Sequence, residues 1–170
     1  MRKWENIPAF MQCNEVRVYY DILCNKRFSL LIKRILDIFF GIVVLVVTAI
    51  PMLIISFIII LESPGGVFYR QERVTTYGKK FKIHKFRTMV ANADKIGTSV
   101  TVSGDNRITK VGNFLRKYRL DELPQVFDVL VGDMSFVGTR PEVTKYVEKY
   151  TSEMYSTLLL PAGITSNASI

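Results

Sequence analysis

Residues 35–61, which read ILDIFFGIVVLVVTAIPMLIISFIIIL, decide the fold of this chain. The stretch carries a single charge, Asp37, close to its start. As one straight helix it would extend roughly 40 Å, which exceeds the ~30 Å hydrocarbon core of a bilayer. We therefore predict a membrane helix, which either crosses the bilayer or enters and leaves by the same face.

Two features bear on that choice. Pro51 removes a backbone donor and clashes with the preceding turn, so a break there would leave limbs of roughly 24 and 15 Å, each too short to cross. Both flanks are basic, with seven Lys or Arg in residues 1–34 and eight in residues 62–95. Because basic flanks favour the cytoplasmic side, both ends are expected there. The residues alone leave the crossing and re-entrant forms open.

The regions around this stretch divide the chain into three parts. Residues 1–34 are read as an interfacial arm, residues 35–61 as the membrane segment and residues 62–170 as a cytosolic domain. That domain is predicted to be α+β, small and mostly helical, with a short β-hairpin. Its predicted elements are strands at 67–70 and 81–85, helices at 108–118 and 141–156, and a loop at 91–101.

Composition limits the classes of partner. The chain is 49% hydrophobic and yet carries a net charge of +8, which is typical of a protein at a membrane surface that meets anionic lipid or anionic ligands. Nucleic acid would explain the charge but not the apolar run, so no nucleic-acid partner is predicted. The two cysteines, Cys13 and Cys24, have no CxxC spacing, and we expect reduced thiols there.

The strongest local candidate for chemistry is the pair Asp121-Glu122, in the segment RKYRLDELPQ at 116–125. Pro124 is tolerated only in the first turn of a helix, so a helix is expected to begin at or just before Asp121. Two carboxylates at a helix N-terminus have two explanations. They could cap the helix, which the pair taken alone favours, or they could take part in catalysis.

Basic residues elsewhere in the chain favour the second explanation. Six of them are candidates for binding phosphate: Lys85, Arg87, Arg107, Arg116, Arg119 and Arg140. Guanidinium groups suit phosphate oxygens, and a divalent cation held by a carboxylate would bridge a pyrophosphate. An aspartate among so many cations is expected to stay ionised and to be nucleophilic toward phosphorus.

Several motifs in order along the chain resemble the bacterial sugar transferases, also called monotopic phosphoglycosyl transferases. The resemblance runs from Lys33 to about Ile164 and includes the central Pro51. Its other motifs are KRILDI at 33–38, SPGGVFYRQERV at 63–74, KKFKIHKFRTM at 79–89, DNRITKVGNFLRKYRLDELPQ at 105–125 and VGDMSFVGTRPE at 131–142. The resemblance also implies that further residues normally follow the tail at 161–170.

The resemblance implies a function and a place in the cell. The apolar run would be a re-entrant helix broken at Pro51, on the cytosolic face of the bacterial inner membrane. Asp121 would attack the β-phosphate of a UDP-sugar and release UMP, and undecaprenyl phosphate would then collect the sugar phosphate from Asp121. Glu122, together with Asp121, would bind Mg²⁺, and the six basic residues would bind phosphates. This is the first membrane step in making a bacterial polysaccharide, such as a capsule or exopolysaccharide, or another glycoconjugate.

Two alternatives remain at this point. A catalytically weak relative could serve as a membrane scaffold for glycosyltransferases, and a single-pass anchor could carry a basic nucleic-acid-binding domain. The sequence does not reveal which sugar is transferred. It also leaves the oligomeric state open, although a homodimer would cover apolar surface that so small a domain leaves exposed.

Overall fold

The computed structural model describes residues 1–91, 93 and 105–166, and these form an α+β fold that is mostly helical, as predicted. The helices are α1 (Asn14–Asn25), α2 (Arg27–Glu62), α3 (Lys110–Lys117), α4 (Gln125–Val131) and α5 (Thr144–Val147). The strands are β1 (Phe68–Val74), β2 (Lys80–Phe86), β3 (Met134–Val137) and β4 (Ala162–Thr165). Most of the loop predicted at 91–101 lies outside the described residues.

Helix α2 contains the whole apolar run and begins eight residues before it. It is 36 residues long, and Pro51 lies inside it rather than between two helices. The structure therefore has one helix at the position of the predicted break, and not two helices separated at Pro51. A proline removes one amide donor from the ladder, and a helix this long retains the hydrogen bonds on either side of that position.

Much of α2 is exposed to solvent in the folded chain. The helix is long and apolar enough to cross a membrane, and only 11% of its most apolar 18-residue window is buried. Val46, Ile50 and Leu53 are each 70% exposed. The core helix of a soluble protein would have these side chains covered by protein, so the exposed face indicates association with a membrane.

The other face of α2 packs on the globular domain. Gly41, Met52 and Ile59 are buried at helical spacing, and Met52 and Ile59 belong to a core cluster with Phe86. A Cβ atom added at Gly41 would lie 2.8 Å from the Leu130 side chain, so this glycine lets α2 approach α4 closely. One helix thus presents an apolar face to the surroundings and a second apolar face to its own domain.

Polar contacts hold the N-terminal half of α2 to the domain. Arg34 donates from Nη1 to the carbonyl oxygen of Val129 at 2.6 Å and from Nη2 to that of Leu130 at 2.9 Å. Asp37, the one charge in the apolar run, accepts from the Ser135 hydroxyl at 2.8 Å and from the Phe136 amide at 3.3 Å. Asp37 is therefore an anchor between α2 and β3.

The C-terminal end of α2 is held to the same domain. Arg87, just after β2, donates to the carbonyl oxygens of Ser63 at 2.5 Å and Pro64 at 2.9 Å. The Glu62 carboxylate accepts from the Val111 amide at the start of α3, at 3.1 Å. Both ends of the long helix therefore contact one globular body.

The predicted hairpin is present. Strands β1 and β2 pair antiparallel, with Tyr69 opposite Lys85. Strands β3 and β4 form a second, parallel pair, with Met134 opposite Ala162, which the sequence reading did not predict. On β2 the buried residues Phe81 and Ile83 pack with Val129 of α4, and this contact fixes the strand against the helix that follows the Asp121-Glu122 pair.

Residues 1–34, read as an interfacial arm, also pack on the domain, since α1 buries Val16 and Tyr20 in a core that includes Leu158 and Leu159. The helix predicted at 141–156 is not continuous, because only α5 and a later 3₁₀ segment, Met154–Leu159, are helical. Tyr, Thr and Ser at 150–152 are weak helix formers, and the chain turns there to reach α1. The helix predicted at 108–118 is confirmed as α3, capped by Thr109.

Candidate active site

The Asp121-Glu122 pair lies in a short 3₁₀ turn, Leu120–Glu122, between α3 and α4. A helical turn thus begins just before Asp121, as predicted, whereas the α-helix starts only at Gln125. Pro124 is the N-terminal boundary residue of α4, and no side chain caps that helix. The capping explanation therefore receives no support from these contacts.

The residue before this turn has an unusual backbone. Arg119 adopts φ 58° and ψ 21°, the left-handed region that side chains other than glycine seldom occupy. This conformation reverses the chain direction after α3 and brings the turn back toward the β1–β2 hairpin. Such backbone strain persists where the surrounding structure enforces it, and it is concentrated at functional sites.

Lys85 on β2 makes the closest contact to the pair. Its Nζ lies 2.6 Å from Oε1 of Glu122, and the two side chains are only 20% and 14% exposed. Arg119 is farther away, with Nη1 3.9 Å from Oε2 of Glu122, and its side chain is 63% exposed. Glu122 is therefore held by one enclosed ammonium group and faces a second, exposed cation at the surface.

The Asp121 carboxyl is partly buried, and this changes its acidity. Burial raises the pKa of Asp121 above its usual range, because the charged form loses hydration. Lys85 opposes that rise, whereas the negative charge of Glu122 adds to it. The net effect is a raised pKa, so burial affects the acidity of Asp121 more than the neighbouring cations do.

The two carboxylates face a cavity of about 440 Å³, which we call the polar chamber. Five of the six predicted basic residues also line it: Lys85, Arg87, Arg107, Arg116 and Arg119. The sixth, Arg140, lines a small adjoining cavity that also contains Lys85 and Glu122. The fold thus brings residues from β2, α3 and the turn before α4 to one place, with positive charge around a pair of carboxylates.

Three of these arginines already have protein partners. Arg107 donates from Nη2 to Asp105 at 2.6 Å, which holds the pKa of Asp105 at about 2. Arg116 donates from Nε to the Thr88 hydroxyl at 2.8 Å. Arg87 binds carbonyl groups at the end of α2, a role that the sequence did not indicate. These contacts orient the guanidinium groups, and phosphate binding by them stays a prediction.

Sequence reasoning missed one face of β1. Tyr69, Gln71 and Arg73 alternate along this strand and all line the polar chamber. Arg73 donates to Gln71 Oε1 at 2.7 Å and to the Pro141 carbonyl at 3.1 Å. Within the described part of the chain its Nε is the one buried side-chain polar atom without a hydrogen-bond partner. The period-two alternation of a strand would have pointed to this face.

The carboxylates also bear on metal binding. Among the described residues, no group of three or more His, Cys, Asp or Glu side chains could hold a metal ion. Asp121 and Glu122 would supply two oxygen ligands. Magnesium is commonly bound by one or two carboxylates together with substrate phosphates and water, so the pair fits such an ion when a phosphate ligand is present.

Comparison with known proteins places the chain in a family. The sequence model of the bacterial sugar transferase family matches residues 28–170, so the chain belongs to that family, as its motifs predicted. A Bacillus subtilis relative, provisionally named an undecaprenyl-phosphate N-acetylgalactosaminyl 1-phosphate transferase, is 46% identical over 126 residues, which is 74% of this chain and 70% of the relative.

Two further relatives are longer. The UDP-N-acetylgalactosamine-undecaprenyl-phosphate N-acetylgalactosaminephosphotransferase of Aeromonas hydrophila is 41% identical over 143 residues, covering 82% of this chain and 34% of the relative. The UDP-glucose:undecaprenyl-phosphate glucose-1-phosphate transferase of Escherichia coli K12 is 42% identical over 144 residues, covering 82% and 31%. The chain spans about a third of the length of these two proteins.

Proposed function

We propose that this protein transfers a sugar 1-phosphate from a UDP-sugar to undecaprenyl phosphate and releases UMP, with Asp121 as the nucleophile. The main support is the partly buried Asp121-Glu122 turn, which faces a chamber lined by six basic side chains, Arg73 and five of the predicted ones. The names of the relatives support the same general reaction, since three of them are sugar phosphate transferases that act on undecaprenyl phosphate.

The proposed reaction has two displacements at phosphorus. A carboxylate oxygen of Asp121 bonds to the β-phosphorus of the UDP-sugar, the bond to the bridging oxygen breaks, and UMP leaves with that electron pair. An oxygen of undecaprenyl phosphate then attacks the same phosphorus, and Asp121 leaves as a carboxylate. The charges of Lys85 and Arg116 oppose the rise in the pKa of Asp121, so they favour its ionised form, and they would also offset the charge of the diphosphate.

Magnesium is part of the proposal. Glu122 and Asp121 would hold the ion with oxygens of the diphosphate, and the ion would supply positive charge that stabilises the departing phosphate. Glu122 accepts from Lys85 through Oε1, and its Oε2 lies 3.9 Å from Arg119. Lys85 and Arg119 thus orient Glu122 in the free protein.

An activity assay tests the proposed function. The purified protein is incubated with Mg²⁺, undecaprenyl phosphate and each of a panel of UDP-sugars, and UMP is measured. We expect release with at least one UDP-sugar, dependent on undecaprenyl phosphate for multiple turnovers. Absence of release with every sugar, from folded protein in membranes, would favour the scaffold alternative.

The same proposal includes a location, the cytosolic face of the bacterial inner membrane, with α2 entering and leaving by that face. Arg34 and Glu62, near opposite ends of α2, both bond to the one globular domain. A single compact domain lies on one side of a bilayer, so contacts at both ends support a re-entrant helix. The face of α2 with Val46 and Ile50 exposed would contact lipid.

Cysteine labelling tests this topology. In a chain with Cys13 and Cys24 changed to serine, Asn25→Cys and Gly66→Cys introduce thiols at exposed positions beyond the two ends of the apolar run. We expect an impermeant maleimide to label both in inside-out vesicles and neither in right-side-out vesicles. Ile50→Cys should be protected in both. Labelling of the two flanking positions from opposite sides would contradict the re-entrant helix.

The pH dependence of the first displacement follows from the acidity of Asp121. Its carboxyl must be ionised to attack, so the rate should fall as the pH drops through its raised pKa. Lys85→Gln removes a cation that lowers this pKa and leaves Glu122 without its partner, so the acid limb should move to higher pH. Lys85→Arg keeps the charge and is the control. A shift of the Lys85→Gln limb to lower pH would contradict this assignment.

A further inference from the structure

A second cavity shares the Arg119-Glu122 pair with the polar chamber. It has a volume of about 380 Å³, and we call it the apolar cleft. Its apolar lining consists of Val44, Leu123, Val126, Phe136 and Ile164. These residues come from α2, from α4 and the residues just before it, from β3 and from β4. The cleft is therefore formed by the tertiary fold.

Glu122 and Arg119 line both cavities. The polar chamber and the apolar cleft therefore meet at this pair, one rich in cations and the other lined by hydrocarbon. Leu123 directly follows the Leu120–Glu122 turn, so this end of the cleft is next to the proposed reacting groups. A ligand with a charged head and an apolar chain would match the change in lining from one end of the cleft to the other.

The outer wall of the cleft belongs to the membrane helix. Val44 lies within the apolar run of α2, and its neighbours Val43, Val46 and Val47 are exposed large apolar residues. The apolar surface inside the cleft is therefore close to the surface of α2 that would face lipid. A hydrocarbon chain in the bilayer could enter the cleft without passing through water. A water-soluble nucleotide sugar would gain nothing from leaving water for this apolar surface.

We propose that the apolar cleft binds the isoprenoid units next to the phosphate of the lipid acceptor, and that it brings this phosphate to the phosphosugar on Asp121 by a route separate from that of the nucleotide sugar. The inference rests on the proposed function and adds the place and route of acceptor binding. Arg119 is the cation for the acceptor phosphate, because its side chain is 63% exposed and only loosely paired with Glu122 at 3.9 Å.

Separate entry routes have a kinetic consequence. A bulky side chain in the cleft should impair the second displacement, in which the acceptor takes part, more than the first, which needs only the nucleotide sugar. The two steps can be measured separately, since UMP formed in a single turnover without acceptor reports the first step. Turnover at varied acceptor concentration reports the second.

The test is Val44→Trp, with Val47→Trp as the matched control. Val47 is one turn away on α2, and 69% of it is exposed. We expect Val44→Trp to raise KM for undecaprenyl phosphate roughly tenfold or more, because the larger side chain would occupy space in the cleft that the isoprenoid chain needs. The single-turnover burst of UMP and the KM for the UDP-sugar should stay close to wild type. Val47→Trp should resemble wild type throughout.

The possible outcomes separate the two proposals. If the wild-type protein releases no UMP, the proposed function fails. If the wild-type protein is active and Val44→Trp binds undecaprenyl phosphate as well as Val47→Trp does, the acceptor site lies elsewhere. A loss of the UMP burst and of acceptor turnover together would also overturn the inference, since it would mean that the cleft serves both substrates.

Photo-crosslinking provides a measurement on the unaltered protein. Farnesyl phosphate with a diazirine on its second isoprene unit is irradiated with the full chain in bilayer nanodiscs, and labelled peptides are identified by mass spectrometry. We expect label on the cleft residues Val126, Phe136 or Ile164, reduced by excess undecaprenyl phosphate. Label confined to the exposed face of α2, at residues such as Val46 and Ile50, would contradict binding in the cleft.

Discussion

Asp121→Asn is expected to lower UMP release by roughly 10⁴-fold or more, the size of effect seen when a catalytic nucleophile is removed. Asparagine has nearly the shape of aspartate but lacks the anionic oxygen that would bond to phosphorus. The measurement is UMP formed in a single turnover and at steady state with the preferred UDP-sugar. Asp21→Asn, on the exposed surface of α1, is the control and should retain full activity. Full turnover by Asp121→Asn would remove Asp121 as the nucleophile.

The same substitution should make the protein more stable. The pKa of Asp121 is raised in the folded state by burial, so above that pKa the fold must hold an ionised carboxyl that prefers water. Asparagine removes this cost near neutral pH, and the melting temperature in detergent should rise there. The gain should shrink as the pH falls below the pKa of an exposed aspartate, where the unfolded chain is protonated too. An inactive variant that is also less stable at neutral pH would point to misfolding.

The second large effect is expected for Glu122→Gln. Loss of this carboxylate should lower kcat by roughly 10²- to 10³-fold, a typical result when one charge-stabilising group is removed from an active site. It should also raise the Mg²⁺ concentration needed for half-maximal activity, because a proposed ligand is lost. The readout is a Mg²⁺ titration of UMP release.

Glu72→Gln is the matched control for this substitution. Glu72 lies on β1, where it pairs with Lys80 at 3.1 Å on the exposed side of the hairpin, so the variant should keep the wild-type magnesium dependence. If Glu122→Gln lost activity with an unchanged Mg²⁺ requirement, Glu122 would act through Lys85 and not through the metal. Wild-type kcat in Glu122→Gln would contradict any catalytic role.

Local signals made part of this architecture predictable. A long apolar run predicted α2, two short strand-like segments predicted the hairpin, and helical spacing predicted α3. The site residues could be predicted for a related reason. The Asp121-Glu122 pair and its basic neighbours occur in ordered motifs, and the fold collects five of the six basic residues around one chamber.

Long-range contacts explain what the sequence did not disclose. Strand β3 is four residues long and pairs with β4, which lies more than twenty residues later. The local sequence of neither strand therefore indicates which strand it pairs with. The packing of α1 on the 3₁₀ segment Met154–Leu159 joins opposite ends of the chain. Burial of Asp121, and with it the raised pKa, is likewise a property of the assembled site. The charges in the sequence did not indicate this burial.

The placement of α2 connects these observations. Its buried face carries Met52 and Ile59 and its polar anchors are Arg34, Asp37 and Glu62, so the domain lies along the helix rather than beyond one end of it. This arrangement places the Leu120–Glu122 turn beside the apolar run of α2. An enzyme that joins a water-soluble nucleotide sugar to a membrane lipid needs such a position, with one route from water and one from the bilayer.

Trapping the phosphosugar-aspartate tests the central claim most directly. The protein is incubated with Mg²⁺ and the preferred UDP-sugar in the absence of undecaprenyl phosphate, quenched in acid, digested and analysed by mass spectrometry. We expect the peptide containing Asp121 to gain the mass of one sugar phosphate, in step with one equivalent of UMP, and to lose it when undecaprenyl phosphate is added. Turnover without any adduct, or an adduct on a residue other than Asp121, would contradict the proposed mechanism.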